Sequence, residues 1–193
     1  ALAAGNTAPV YHALTRPPEL EGEATNRAIQ LARVAGAPLY VVHVSCQESV
    51  HPIAVAREKG WNVWGETCTQ YFFVDTTFLE RPGFEGAKYV YTPPPRDRAN
   101  QDVLWDAVRT DVLSAISTDH CAFTWQGQKT LGESDFSKIP NGAPGLEDRL
   151  RMIHHFGVGS GRLSLNRMVE LLCTNPAKLF GLYPRKGTIA PGA

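Results

Sequence analysis

The sequence lacks the features that mark extracellular, membrane-spanning or nucleic-acid-binding proteins. It has 4 cysteines in 193 residues, widely separated and without a Cys-x-x-Cys pair. They predict reduced thiols in a cytoplasmic protein rather than a disulfide framework. No apolar run approaches the roughly 18 residues that span a bilayer. Lys plus Arg and Asp plus Glu both number 19, so no excess charge favours nucleic acid or an anionic membrane as a partner.

The bulk composition is that of one folded domain. Hydrophobic residues make up 43% of the chain and charged residues 20%, an ordinary balance for a globular protein. The sequence contains no internal repeat or low-complexity tract. Residues 1–6 resemble the end of a helix, and residues 187–193 stop within a turn. We therefore expect residues 1–193 to form a single partial domain of a larger fold.

Helix and strand patterns alternate along much of the chain. The residues from Pro17 to Gly36 predict a helix, because prolines and acids open it and a glycine ends it. The face expected to pack on a sheet carries small residues at helical spacing, namely Ala24, Ala28, Leu31, Ala32 and Ala35. The alternation continues with a strand over 39–45, a helix over 48–59, a strand over 61–67, a helix over 100–110 and a strand over 113–117. This order predicts an α/β fold with a parallel sheet.

Two candidate metal ligands stand at the ends of predicted strands. His43 lies near the end of the strand over 39–45, and Asp119 follows the strand over 113–117. In a barrel of parallel strands the carboxyl ends face the active-site mouth, and imidazole with carboxylate suits zinc or a similar divalent ion. Two ligands do not complete a metal site. A buried histidine bound to backbone is an equally good explanation of His43 taken alone.

The residues next to Asp119 are weaker candidates. His120 and Cys121 cannot both join Asp119 on one ion, because adjacent strand residues point to opposite faces; we predict packing or support of the site for them. The remaining histidines have no ligand spacing: His12, His51, His154 and His155. Cys68 is expected to be a small buried hydrophobe. Asn141 lies in a long irregular segment rich in Gly and Pro, where it is either a turn residue or a binding residue.

Motifs over essentially the whole chain resemble those of dihydropyrimidinases and D-hydantoinases, in the same order. They are YHALTRPPE (11–19), LYVVHVSC (39–46), GETCTQY (65–71), STDHC (117–121), KIPNG (138–142), EDR (147–149) and KLFG (178–181). These enzymes are metal-dependent amidohydrolases built on a (β/α)8 TIM-type barrel. The resemblance implies that the chain is the C-terminal half of such a barrel. The N-terminal half of the barrel and a flanking small β-domain are then absent from it.

The resemblance also implies roles for four residues. His43 matches a metal ligand, and Asp119 matches a metal ligand that also shuttles a proton in catalysis. Thr92, where many relatives have serine, and Asn141 match residues whose main-chain groups bind the cyclic imide substrate. The implied cofactor is a pair of divalent metal ions, with zinc the best candidate. The relatives' His-x-His motif, their bridging carboxylated lysine and a further histidine have no counterpart in this chain.

The implied function is a metal-dependent cyclic amidohydrolase that opens dihydropyrimidine or hydantoin rings through attack of a metal-bridging hydroxide. Its expected partners are the small cyclic amide and copies of the same chain, since relatives are usually tetramers; residues 1–193 alone are expected to be inactive. One alternative is a non-catalytic dihydropyrimidinase-related scaffold protein, which the presence of His43 and Asp119 disfavours. Another is a sister enzyme such as allantoinase or dihydroorotase. Those tend to carry histidine at the position of Gln70.

Overall fold

Three parallel strands organise the structure, a computed structural model that describes residues 1–192. The strands are β1 (Leu39–Val41), β2 (Val63–Cys68) and β3 (Ala115–Ser117), in the sheet order β1-β2-β3. The central strand pairs in parallel with both neighbours, so that Tyr40 lies opposite Trp64 and Thr67 opposite Ile116. The carboxyl ends of all three strands therefore lie at one edge of the sheet.

The helices lie between and after these strands. They are α1 (Tyr11–Leu14), α2 (Pro18–Ala35), α3 (Gln47–Glu58), α4 (Ala99–Arg109), α5 (Arg149–Ile153), α6 (Leu165–Val169) and α7 (Asn175–Leu179). Helices α5 and α6 continue into π-helical turns over His154–Val158 and Glu170–Thr174. The predicted helix–strand alternation with a parallel sheet is confirmed. No helix within residues 1–192 combines the length and apolarity needed to cross a membrane.

Helix α2 has the predicted bounds but buries a different face. Pro18 opens it, and Gly36, with φ +64°, ends it. The small-residue face was a wrong prediction, because three of its members are exposed: Ala24, Leu31 and Ala35. The buried face carries Gly22, Thr25 and Ile29. The reason is that α2 packs chiefly against α3 rather than flat on the sheet.

Two apolar clusters hold these elements together. The larger lies between the sheet and its helices and includes the fully buried Ile53, Leu104, Leu113 and Leu171. The smaller contains Ala13, Leu79, Ala87, Val90, Phe136 and Ile139. It lies under the long segment that follows β3 and gives that segment a core of its own. Two 3-10 turns, Lys129–Gly132 and Phe136–Lys138, divide the same segment.

One strand prediction, that of β1, was too long at the carboxyl end, whereas the carboxyl ends predicted for β2 and β3 lie within one residue of those observed. Strand β1 ends at Val41 instead of Ser45, because His43 adopts a left-handed backbone with φ +42°. The difference lies where the chain leaves regular structure to form a loop.

Candidate active site

The two predicted metal ligands lie at the same edge of the sheet. His43 is two residues beyond the end of β1, and Asp119 is two residues beyond the end of β3. Both have a left-handed backbone, with φ +42° and +47°, which is uncommon for residues other than glycine and frequent at functional sites. Neighbouring strands are about 4.8 Å apart. His43 and Asp119 therefore flank the carboxyl end of β2 from either side.

The residues after His43 are fixed by hydrogen bonds to β2 and α2. The Val44 N–H donates to the Glu66 carbonyl at 2.8 Å, and the Thr67 hydroxyl donates to the Val44 carbonyl at 2.7 Å. The Ser45 N–H donates to the Glu21 carboxylate at 2.9 Å, and the Ser45 hydroxyl donates to the same carboxylate. His43 is therefore presented from a rigid turn rather than from a free loop.

A buried ion pair joins that turn to the proline segment after Thr92. The Arg96 side chain is 7% exposed and its Nη2 donates to Glu21 at 2.8 Å. Its Nε donates to the Ser45 hydroxyl at 3.0 Å, and its Nη1 donates to the Arg16 carbonyl. A buried pair is tolerated when further hydrogen bonds support it, and here each nitrogen of the Arg96 guanidinium donates to a protein oxygen. The ion pair links the segments of His43 and Thr92.

The two residues implied to bind substrate touch each other. The Thr92 hydroxyl donates to the Asn141 side-chain carbonyl at 2.8 Å, although 49 residues separate them. Both side chains are exposed. Within residues 1–192, the main-chain N–H and C=O groups of both residues have no protein partner. They are available to a ligand.

The carbonyl groups next to these two residues are, in contrast, all occupied. His12 Nε2 lies 2.9 Å from the Tyr91 carbonyl, and the Tyr71 hydroxyl donates to the Pro93 carbonyl at 2.8 Å. On the other segment, the Asn141 amide donates to the Ile139 carbonyl at 3.2 Å. Lys129 Nζ donates to the carbonyls of Pro140 and Gly142 at 2.7 and 2.8 Å. Among the main-chain carbonyls of residues 90–93 and 139–142, only those of Thr92 and Asn141 lack a protein partner within residues 1–192.

The Asn141 segment also lies against the residues that follow Asp119. Ala143 forms a parallel bridge with His120, and the Cys121 N–H donates to the Ala143 carbonyl at 3.1 Å. His120 Nδ1 accepts the N–H groups of Gly145 and Leu146, both at 3.2 Å. His120 supports the loop, as expected. The Cys121 thiol is exposed and contributes through its backbone alone.

Two buried titratable residues of this region were missed by sequence reasoning. His12 is 1% exposed, and burial is the main cause that lowers its pKa from 6.5 to about 4. The hydrogen bond to Tyr91 opposes that shift, while Arg16, Lys129 and Arg96 add to it. Lys129 is 4% exposed, and burial lowers its pKa from 10.5 to about 8. His12 lies in the YHALTRPPE motif, but nothing in that motif indicates that the side chain is buried, and Lys129 lies in none of the motifs.

A carboxylate on the central strand is hydrogen-bonded to both neighbouring strands. Glu66, on β2, accepts the Tyr40 hydroxyl of β1 at 2.7 Å and the Ser117 hydroxyl of β3 at 2.8 Å. The Cys68 thiol lies 3.2 Å from the Ser117 hydroxyl and is fully buried, as predicted for it. Burial raises the pKa of Cys68 to about 12, so it is a neutral thiol. Cys68 therefore packs and does not act as a nucleophile.

The candidate metal ligands of this chain are of the types that bind a zinc-like ion, but there are too few of them for a complete site. His43 and Asp119 offer the imidazole nitrogen and carboxylate oxygen that zinc prefers. Within residues 1–192, no group of three or more His, Cys, Asp and Glu side chains is close enough to hold an ion. His51, His154 and His155 are exposed on the surface. His43 and Asp119 could supply only part of the ligand set of such an ion.

Comparisons with known proteins agree with this arrangement. A model described as the amidohydrolase family matches residues 17–193. The D-hydantoinase of Geobacillus stearothermophilus is 58% identical over 193 residues, which cover 100% of this chain and 41% of that protein. A solved D-hydantoinase from a Bacillus sp. AR9 superposes with a TM-score of 0.99 at 58% identity, over 100% of this chain and 42% of that one. A dihydropyrimidinase from Brevibacillus agri NCHU1002 has a TM-score of 0.97 at 59% identity, over 98% of this chain and 41% of that one.

The superpositions confirm the predicted fold class, an α/β arrangement that forms part of a TIM-type barrel. The chain spans about 41% of the length of the curated relatives that it matches. The family model covers almost its whole length, and the relatives align with it from end to end. The chain belongs to the amidohydrolase family.

Proposed function

We propose that the chain is part of a metal-dependent cyclic amidohydrolase that opens hydantoin or dihydropyrimidine rings. The observation that carries this proposal is the meeting of two pairs of residues. His43 and Asp119 flank the end of β2, while Thr92 and Asn141 contact each other and keep free main-chain groups. The Asn141 segment is hydrogen-bonded to the residues directly after Asp119. Metal-assisted hydrolysis of a cyclic amide needs the substrate held next to the metal ligands and a proton carrier.

His43 and Asp119 are the residues of this chain that would hold divalent cations, with zinc the best candidate. Bound there, such ions would supply a water that ionises near neutral pH and would polarise the substrate carbonyl. The other ligands, including a carboxylated lysine, are proposed to lie outside residues 1–193. These residues alone are then inactive.

The remaining chemistry falls to residues of this chain. Ring opening adds water across the amide C–N bond, so the ring nitrogen must gain a proton as it leaves. Asp119 takes the proton released by the attacking water and delivers it to that nitrogen, which is general acid–base catalysis. The main-chain groups of Thr92 and Asn141 hold the ring by accepting from its N–H and donating to its carbonyl.

Metal analysis and hydrolysis assays of the intact protein test the proposal. We expect bound divalent metal together with turnover of hydantoin or dihydrouracil. Absence of both metal and turnover would support the scaffold alternative, and turnover of allantoin alone would support a sister amidohydrolase. Cytoplasmic location and a homotetramer stay predictions.

A further inference from the structure

Lys129 is a buried cation held by carbonyl oxygens. Its Nζ donates to the carbonyls of Val90, Pro140 and Gly142 at 2.9, 2.7 and 2.8 Å. An ammonium has three N–H donors, so all of them are used. No carboxylate of residues 1–192 forms an ion pair with Lys129. A charge kept in the interior without a counter-ion is unusual.

The three carbonyls belong to the two segments that carry the proposed substrate contacts. Val90 lies two residues before Thr92, and Pro140 and Gly142 flank Asn141. One ammonium therefore joins segments that are about 50 residues apart in the chain, as the 49-residue separation of Thr92 and Asn141 indicates. The Gly142 N–H also donates to the Val90 carbonyl at 3.0 Å, which closes the junction.

Because the peptide bond is planar, these hydrogen bonds also fix the directions of the main-chain N–H and C=O groups of Asn141. In a trans peptide, the C=O of one residue and the N–H of the next are fixed in one plane and point in opposite directions. The Pro140 carbonyl points at Lys129, so the Asn141 N–H points away from it. The Gly142 N–H points at Val90, so the Asn141 carbonyl points away from Val90. The directions of the Asn141 N–H and C=O are therefore fixed by the hydrogen bonds of the neighbouring Pro140 carbonyl and Gly142 N–H.

We propose that Lys129 is a positioning residue of the substrate site, which orients the main-chain N–H and C=O of Asn141 toward a cyclic amide. The inference rests on the proposed function, because it takes Asn141 as a substrate contact. An adjacent donor and acceptor are complementary to the adjacent N–H and C=O of a ring amide. Lys129 acts through the backbone and does not touch the reacting atoms.

The test is the Lys129→Met variant of the intact protein, assayed with hydantoin and dihydrouracil. Methionine has a similar length and shape but donates no hydrogen bond. We expect KM to rise about fivefold to tenfold, the effect of losing one well-placed hydrogen bond. We expect kcat to change less than about twofold and the metal content to stay the same, because Lys129 is not at the reacting centre.

Lys138→Met is the matched control. Lys138 belongs to the same segment, but its side chain is 68% exposed and its nearest carboxylate, Asp135, is 3.6 Å away. Its removal should leave KM and kcat unchanged. Should Lys129→Met fail to fold, Lys129→Gln takes its place, since it keeps two N–H donors without the charge; it should raise KM by a smaller factor.

An unchanged KM in the folded Lys129 variant, or a fall in kcat at unchanged KM, would overturn the positioning role. The unmutated protein separates this failure from that of the proposed function. If the unmutated protein turns over none of the cyclic amides, the proposed function fails and the positioning role with it. If it is active and the variant behaves like it, the positioning role alone fails.

Discussion

His43 and Asp119 share a backbone conformation that ordinary packing does not require. A left-handed residue with a side chain is strained by roughly 1–2 kcal/mol, less for aspartate, whose short polar side chain can bond locally. Such strain persists where the surroundings over-determine it. At His43 the surroundings are the bonds of Val44 and Ser45 to Glu66 and Glu21. Four residues other than glycine have a positive φ within residues 1–192, and two of them are the proposed metal ligands; the other two are Phe84 and Asp111.

Asp119→Asn in the intact protein should separate the proton-carrying role of Asp119 from its backbone role. Asparagine keeps an oxygen donor and tolerates the left-handed backbone, so we expect substrate affinity and metal content to be retained. We expect kcat to fall by about 10²- to 10⁴-fold, the usual contribution of a general acid–base group. Asp119→Ala should likewise bind substrate and barely turn it over.

The exposed Asp106, which pairs with Arg109, provides the control variant Asp106→Asn. Near-normal turnover in Asp119→Asn would remove Asp119 from catalysis.

His12 should make the protein less stable as the pH falls. Its pKa is 6.5 when unfolded and about 4 when folded, so between these values the unfolded chain binds the proton and the folded one does not. The stabilisation from neutral His12 is therefore complete above pH 6.5 and is lost progressively down to about pH 4. The shift corresponds to roughly 3 kcal/mol at most.

Unfolding of the intact protein by denaturant between pH 4 and 7 measures this effect in His12→Gln. Glutamine retains an N–H donor for the Tyr91 carbonyl but does not titrate, so we expect a flatter dependence of the unfolding free energy on pH. His155→Gln, at an exposed histidine, should follow the unmutated curve. If the unfolding free energy depends on pH in the same way in the unmutated protein, His12→Gln and His155→Gln, His12 is not the group responsible.

At the scale of elements, sequence patterns predict where a helix begins and ends better than they predict which element it packs against. The helix from Pro18 to Ala35 has the expected start and stop because caps and prolines act locally. Its buried face was mispredicted because small residues occur on both sides of the helix, and the choice depends on α3. Strand β1 was predicted too long because β-branched residues continue past the point where His43 turns the chain.

Gly22→Ala tests the contact between α2 and α3. In an exposed helix interior this change stabilises by about 1 kcal/mol, but a Cβ on Gly22 would lie 2.7 Å from the Glu48 carbonyl oxygen, which is backbone and cannot move aside cheaply. We therefore expect the opposite sign, a loss of about 1–3 kcal/mol. Thermal unfolding of the intact protein measures it. Asn26→Ala, on the exposed side of α2, should be neutral or slightly stabilising. A higher melting temperature for Gly22→Ala would contradict the close approach.

At the scale of the whole molecule, the fold class and the proximity of the proposed substrate residues could be predicted, while the contacts that hold the site could not. Parallel α/β architecture follows from alternating patterns, and motif resemblance pointed to Thr92 and Asn141. His12, Arg96 and Lys129 are single residues of common types. Their partners lie as far as 80 residues away, as for Arg96 and Arg16. Such contacts become visible only when the chain is folded.

The unpartnered main-chain carbonyls of Thr92 and Asn141 have a consequence for mutational tolerance. A site that recognises its ligand through peptide groups is indifferent to the side chains that carry those groups. In a saturation scan, position 92 should accept many replacements. Position 129, which touches no ligand, should accept few. The residue closest to the substrate would then tolerate substitution well, and the scan would identify as important the buried residue that holds the backbone in place.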